Sequence, residues 1–154
     1  MRRIDIIKKI MNFIKGEFII TSAGKISREV YYVRDRPRNF YVQGSMGSSL
    51  AIGIGLAICR PKEKVVVIAG DGEVLMSLST LVLMKKLKLP NLKLYIIDNN
   101  CFQSTGGQKT NSDAVDFKSL CDCEVFKVDS ESEEVPRIGM THKEIKERFM
   151  KELK

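Results

Sequence analysis

The stretch richest in chemical possibility is Gly70-Asp71-Gly72, a carboxylate between two residues without side chains. It follows Val65-Val66-Val67-Ile68-Ala69, an apolar, mostly β-branched run of the kind buried on both faces of a parallel sheet. Glycines let a backbone approach a ligand closely. A helix predicted from Glu73 to Leu87 would offer unpaired N–H groups and a positive dipole end to an anion. A second apolar run, Leu92 to Ile97, ends in Asp98-Asn99-Asn100. Such a strand–helix–strand unit brings two neighbouring strand ends together. Asp71 and one asparagine amide would then supply hard oxygen ligands suited to magnesium or calcium. One carboxylate, one amide and one carbonyl do not fill an octahedron, and diphosphate oxygens and water would complete it.

Those residues need elements to hold them. Ile4, Ile7, Ile10, Met11 and Ile14 fall at helical spacing. Phe18 to Thr21 reads as a strand entering the Ser22-Ala23-Gly24 loop, and Ser27 to Val33 as a short helix. Arg34 to Asn39 is charged and holds Pro37, so it predicts a surface loop before a strand at Phe40-Tyr41-Val42. Gly44 to Gly47 predicts a turn, and Ser48 to Cys59 a small-residue helix that Pro61 ends. Beyond Asn100, a loop to about Asp113 precedes a short helix from Ala114 to Leu120 and a strand from Glu124 to Val128. A polar linker from Asp129 to Arg137 and a charged helix from Thr141 to Leu153 complete the pattern. Alternating strands and helices predict an α/β fold: three layers, an open parallel sheet with helices on both faces. The 154 residues are read as one domain. Ligands of such sheets sit at the carboxyl ends of strands, where each glycine-rich or asparagine-rich turn falls.

Composition removes several function classes. No segment approaches the length of a membrane span: the apolar stretch from Leu50 to Cys59 is short and broken by Gly53 and Gly55. Nor is there a signal-peptide pattern, so the expected location is the cytoplasm. The 26 basic and 19 acidic side chains give a net charge of +7. The lysines are spread over both ends and several helix faces, without the aromatic-flanked patch of a nucleic-acid binder. The excess fits an anionic substrate or cofactor, and equally a lysine-rich surface. Cys59 sits in an apolar helical run and reads as a small core residue. Cys121-Asp122-Cys123 lacks the two-residue gap of zinc or iron–sulfur loops.

Taken together, Gly-Asp-Gly, its flanking strands and the following Asn-Asn resemble the signature of thiamine diphosphate enzymes, and other segments resemble their decarboxylase branch. Gly44-Ser45-Met46-Gly47 is similar to the loop that holds the aminopyrimidine ring. That likeness assigns the Gly44 carbonyl a hydrogen bond from the 4′-amino group. It makes Met46 the bulky apolar residue that keeps the cofactor bent into a V, whereas the residues alone allow Met46 to be ordinary core. Ser104-Thr105-Gly106-Gly107-Gln108 resembles the Ser-Thr-Gly-Gly-Gln loop of phosphonopyruvate and sulfopyruvate decarboxylases. Counting from that loop puts Asn99 on the metal-ligand position and gives the Cys101 carbonyl as a further ligand. Choosing Asn100 would move the carbonyl to Phe102. The resemblance therefore implies a cofactor-binding set of Gly44, Ser45, Met46, Gly70, Asp71, Gly72, Glu73, Asn99, Cys101 and Phe102, with Asp71, Asn99 and Cys101 on Mg2+.

The resemblance covers roughly residues 18–128, the pyrophosphate-binding half of the family. Whole enzymes also carry a pyrimidine-binding domain whose glutamate contacts the ring N1′ and activates the cofactor. The chain is too short for that domain, and Glu17 and Glu29 stand in no matching motif. An alpha subunit carrying it is therefore expected, in a hetero-oligomer of at least two alpha and two beta chains. The split sulfopyruvate decarboxylases of methanogens have this arrangement, and the chain resembles their β subunit. The implied reaction is loss of carbon dioxide from a small anionic 2-keto acid: sulfopyruvate to sulfoacetaldehyde, toward coenzyme M. A phosphonopyruvate-type decarboxylase is the near alternative. The thiamine-binding subunit of a 2-oxoacid:ferredoxin oxidoreductase is normally longer and needs an iron–sulfur cluster that this cysteine spacing does not provide. A non-catalytic cofactor-binding subunit is a further reading. Thr105, Gln108 and Lys109 are the candidates from this chain for the substrate's anionic groups, unless they form a solvated loop. His142 is read as a surface or capping residue.

Overall fold

The computed structural model describes residues 1–129 and 134–154, so part of the linker expected over 129–137 lies outside the described residues. Five strands form one wholly parallel sheet: β1 (Phe18–Thr21), β2 (Asn39–Tyr41), β3 (Val65–Gly70), β4 (Leu92–Asp98) and β7 (Cys123–Lys127). Their spatial order is β2-β1-β3-β4-β7. A separate antiparallel ribbon joins β5 (Cys101–Phe102) to β6 (Gln108–Lys109). The α/β architecture expected from the alternating pattern is the one observed.

The β3 run shows why both faces are covered. Val65, Val67 and Ala69 enter one apolar cluster, whereas Val66 and Ile68 enter the other. The first cluster is closed by α3 (Ser49–Cys59), α4 (Asp71–Met76), α5 (Leu78–Leu87) and α6 (Phe117–Leu120). The second is closed by α1 (Arg3–Phe13) and α2 (Lys25–Arg34). At the β2 edge, α7 (His142–Lys151) contributes Phe149 to the first cluster and Ile145 to the second. Arg148 of α7 donates to both oxygens of Asp35, at 2.6 and 2.8 Å, and Tyr41 donates to the same carboxylate at 2.7 Å. Gly53 lets α3 lie flat on the sheet, since a Cβ there would stand 2.3 Å from Val67 Cγ2.

Chain direction decides where a ligand can enter. From β1 the chain turns through α2 to β2, while from β3 it turns the opposite way through α4 and α5 to β4. The two crossovers lie on opposite faces and diverge at their start, opening a crevice between the ends of β1 and β3.

Three local expectations change. The helix expected from Glu73 to Leu87 starts at Asp71 and is interrupted at Ser77, whose φ/ψ of −128°/43° is not helical. The Ser77 carbonyl accepts from Thr80 N and Oγ1 at 2.8 and 2.7 Å, a local turn that competes with continuation of the helix. The helix expected from Ala114 to Leu120 is instead a 3-10 turn (Ser112–Ala114) followed by α6, because the Asp116 side chain caps α6 by accepting from Lys118 N at 3.1 Å. Cys59, read as core, is exposed. Helix α3 is apolar on every side, so Ile58 and Cys59 fall on the face turned away from the sheet.

Candidate functional site

The crevice at the switch point is lined from three strand ends: Ser22, Ala23, Lys25 and Ile26 after β1, Gly70 to Glu73 at the end of β3, and Asn99 and Cys101 to Ser104 after β4. Met46 reaches it from the loop after β2, and Arg3 from the start of α1.

Asp71 is its centre. It is the first residue of α4 and is 2% exposed. One carboxylate oxygen accepts a short hydrogen bond from the Thr110 hydroxyl. The other faces Asn99, whose side-chain oxygen lies 3.2 Å from Asp71 Oδ1 and 3.0 Å from the Cys101 carbonyl oxygen. In this orientation the Asn99 amide nitrogen donates to Cys101 Sγ at 3.2 Å. Asn99 Oδ1 also accepts from Cys101 N at 3.4 Å. Turned by half a rotation, the amide nitrogen would instead donate to both facing oxygens and satisfy them without any ion. The chemistry of the set, a carboxylate, an amide oxygen and a main-chain carbonyl brought together, also fits an octahedral Mg2+, whose neighbouring ligand oxygens lie about 3.0 Å apart. Burial pushes the Asp71 carboxyl above the usual range; the Thr110 hydroxyl opposes this and the nearby charge of Asp98 adds to it. Among the described residues no group of three or more His, Cys, Asp or Glu side chains is placed to hold a metal ion. The converging set consists of one carboxylate, one amide and one main-chain carbonyl.

Of the two asparagines, Asn99 faces Asp71. Asn100 adopts a left-handed conformation (φ 52°), and its side-chain oxygen accepts from Ser112 N at 3.2 Å. It shapes the turn.

Both glycines around Asp71 line the crevice. Neither has a positive φ. A Cβ at Gly72 would stand 2.4 Å from the Phe102 ring and 3.1 Å from Thr110 Cγ2, so its bare backbone makes room for the hairpin. Gly70 faces the crevice, and its missing side chain would meet Ile26 Cδ1 at an ordinary 3.4 Å. Glu73 is buried beside them; one oxygen accepts from Ser49 N at 3.0 Å, and the other has no hydrogen-bond partner among the described residues. That bond ties the start of α3, just after the Gly44–Gly47 turn, to the Asp71 loop.

Other residues singled out from sequence stand further off. Met46 is 43% exposed at the lip of the crevice, while Gly44 and Ser45 line neighbouring depressions. Thr105, Gln108 and Lys109 are exposed on the hairpin and do not line the crevice, and Thr105 Oγ1 donates to the Phe102 carbonyl at 3.3 Å. His142 is exposed at the start of α7, where Thr141 and Glu144 form a capping box. Sequence reasoning passed over Thr110, which no spacing marks. It also passed over Arg3, a basic residue near the N-terminus that turns out to be 5% exposed.

Comparison with known proteins adds a family. Residues 22–132 match the family described as thiamine pyrophosphate enzyme, C-terminal TPP binding domain. The chain belongs to this family. Among curated relatives, sulfopyruvate decarboxylase subunit beta of Methanocaldococcus jannaschii is 49% identical over 112 residues, which cover 72% of this chain and 59% of the relative. The protein of the same name from Methanococcus maripaludis is 33% identical over the whole of this chain and 98% of its own length. Phosphonopyruvate decarboxylase of Streptomyces hygroscopicus is 42% identical over 66% of this chain but only 25% of its own length. The chain thus spans about three-fifths of the first relative, nearly all of the second and a quarter of the third. No helix among the described residues is long and apolar enough to cross a membrane.

Proposed function

We propose that this chain is the pyrophosphate-binding beta subunit of a thiamine diphosphate-dependent 2-keto acid decarboxylase acting on sulfopyruvate. The observation that carries the reading is the triad of converging oxygens from Asp71, Asn99 and Cys101 at the switch point of the sheet. The names of the relatives support the substrate. In this reading the three oxygens hold Mg2+, and diphosphate and water fill its remaining positions. When bound, thiamine diphosphate supplies the carbon nucleophile and the electron sink for loss of carbon dioxide. Asp71 supplies the one full negative charge, Asn99 and Cys101 orient the ion, and Phe102 and Thr110 hold the hairpin against Gly72. Met46, at the lip, would supply the apolar support for the bound cofactor, next to the Gly44 carbonyl and Ser45 of the same turn.

The remaining half of the site belongs to an alpha subunit with the pyrimidine-binding domain, in a cytoplasmic assembly of at least two of each chain. Exposed apolar side chains support a covered surface: Ile58 on α3, Met76 on α4, and Val82 and Leu83 on α5. Met76 lies against the Gly47 turn beside the lip. The test is turnover of sulfopyruvate and phosphonopyruvate by this chain alone and together with the partner. The chain alone should release no carbon dioxide, and the pair should release it from sulfopyruvate. Turnover by the isolated chain would overturn the split site, and preference for phosphonopyruvate would reassign the substrate.

A further inference from the structure

Arg3 and Glu29 form a buried ion pair beside the crevice. Arg3 Nε donates to Glu29 Oε2 at 2.9 Å and Nη2 to Oε1 at 2.6 Å, a side-on bidentate pair between side chains 6% and 1% exposed. The guanidinium then reaches across: Nη1 donates to Gln103 Oε1 at 2.7 Å. Three separate elements meet there: α1, α2 and the turn of the β5–β6 hairpin. Burying two charges costs several kcal/mol each, and well-packed apolar groups often hold two helices together as well or better. The pair therefore has more to explain than the packing of α1 on α2. What an apolar pair could not supply is a fixed donor aimed at the hairpin.

Resting on the function proposed above, we propose that Arg3, locked in orientation by Glu29, is a positioning residue that clamps the hairpin through Gln103 and so sets the place of the Cys101 carbonyl. Gln103 is two residues from Cys101, and the next residue, Ser104, faces the β1 loop, 3.9 Å from where a Gly24 Cβ would stand. The hairpin thus crosses the mouth of the crevice from the β4 end to the β1 end, and Arg3 fixes it where it lands. At its other end Phe102 and Thr110 pack on Gly72. A carbonyl ligand has no rotamer of its own, so its position depends wholly on how the main chain is held. Groups that orient metal ligands in this way typically change metal affinity about 10–100-fold when removed.

The test compares the full chain with its R3M, R3K and Q103A variants. Hydrogen exchange, read peptide by peptide, should quicken over residues 100–110 in R3M and Q103A while the β3 and β4 peptides keep their protection. R3K, which keeps the charge but loses the two-point lock, should fall between R3M and the wild type. Binding of Mg2+–thiamine diphosphate by calorimetry should weaken about 10–100-fold in R3M. Should R3M fail to fold, Q103A, which leaves the ion pair in place, decides alone. Unchanged exchange over residues 100–110, or faster exchange with unchanged affinity, would overturn the clamp. A wild-type chain that holds no Mg2+–thiamine diphosphate, alone or with its partner, would instead remove the reading of the site on which the clamp rests.

Discussion

Two buried aspartates stand at the ends of neighbouring strands, and the chain treats them differently. Asp98, at the end of β4, has a fully buried side chain and is answered by the protein itself. Ser112 Oγ donates to it at 2.7 Å and Asn100 N at 3.0 Å, and Lys127 forms a close ion pair from the adjacent strand. Asp71, just beyond β3, is as deeply buried but receives the Thr110 hydroxyl and main-chain N–H groups of Asn99 and of its own residue, and no ion pair among the described residues. Burial of a carboxylate therefore does not mark a functional residue. The mark is a buried charge whose neighbours supply hydrogen bonds and a further negative charge but no cation.

The contrast can be broken most directly at Asp71. Asp71→Ala removes the only ionised ligand and should weaken Mg2+-dependent cofactor binding by more than about 100-fold, read by calorimetry. Unchanged affinity would sink the metal assignment. Asp98→Ala should act on folding instead. It leaves the Asn100 N–H without its acceptor, at about 1–3 kcal/mol, and the Ser112 hydroxyl with only the longer 3.3 Å contact to Asn100 Oδ1, while Lys127, 65% exposed, turns to water. Denaturant unfolding should show that loss, with cofactor affinity of the folded fraction reduced much less than in Asp71→Ala. A smaller effect sharpens the comparison. Asp71→Asn keeps the shape, removes the charge and gives the facing oxygens a donor, so the cofactor-free chain should gain roughly 1 kcal/mol while losing the ion. A clear fall in its melting temperature would mean that Asp71, like Asp98, is already satisfied without a cation.

The sequence made the sheet legible because β3 and β4 are apolar runs bounded by turn residues, a pattern that both predicts a strand and requires both faces covered. It was equally explicit about Gly70-Asp71-Gly72 and Asn99-Asn100, since strand, turn and spacing agree there. It did not show that Gly72 serves Phe102, because the hairpin returns to α4 only in three dimensions. The break at Ser77 was hidden for a similar reason: apolar spacing continues through it, and only the local Thr80 bonds stop the helix. Arg3 looked like one more positive charge near a basic end. Its partner Glu29 lies 26 residues away, and no periodicity connects them.

The single formal charge at the oxygen triad has a consequence for the order of loading. A divalent ion there would keep a net positive charge after Asp71 is counted, and a diphosphate arriving without metal would meet the Asp71 carboxylate. Each guest supplies what the other lacks, so their affinities are linked and reciprocal. Neither should occupy the crevice well by itself. The site would then ignore free metal ions and free phosphates in its surroundings, and respond to the two together.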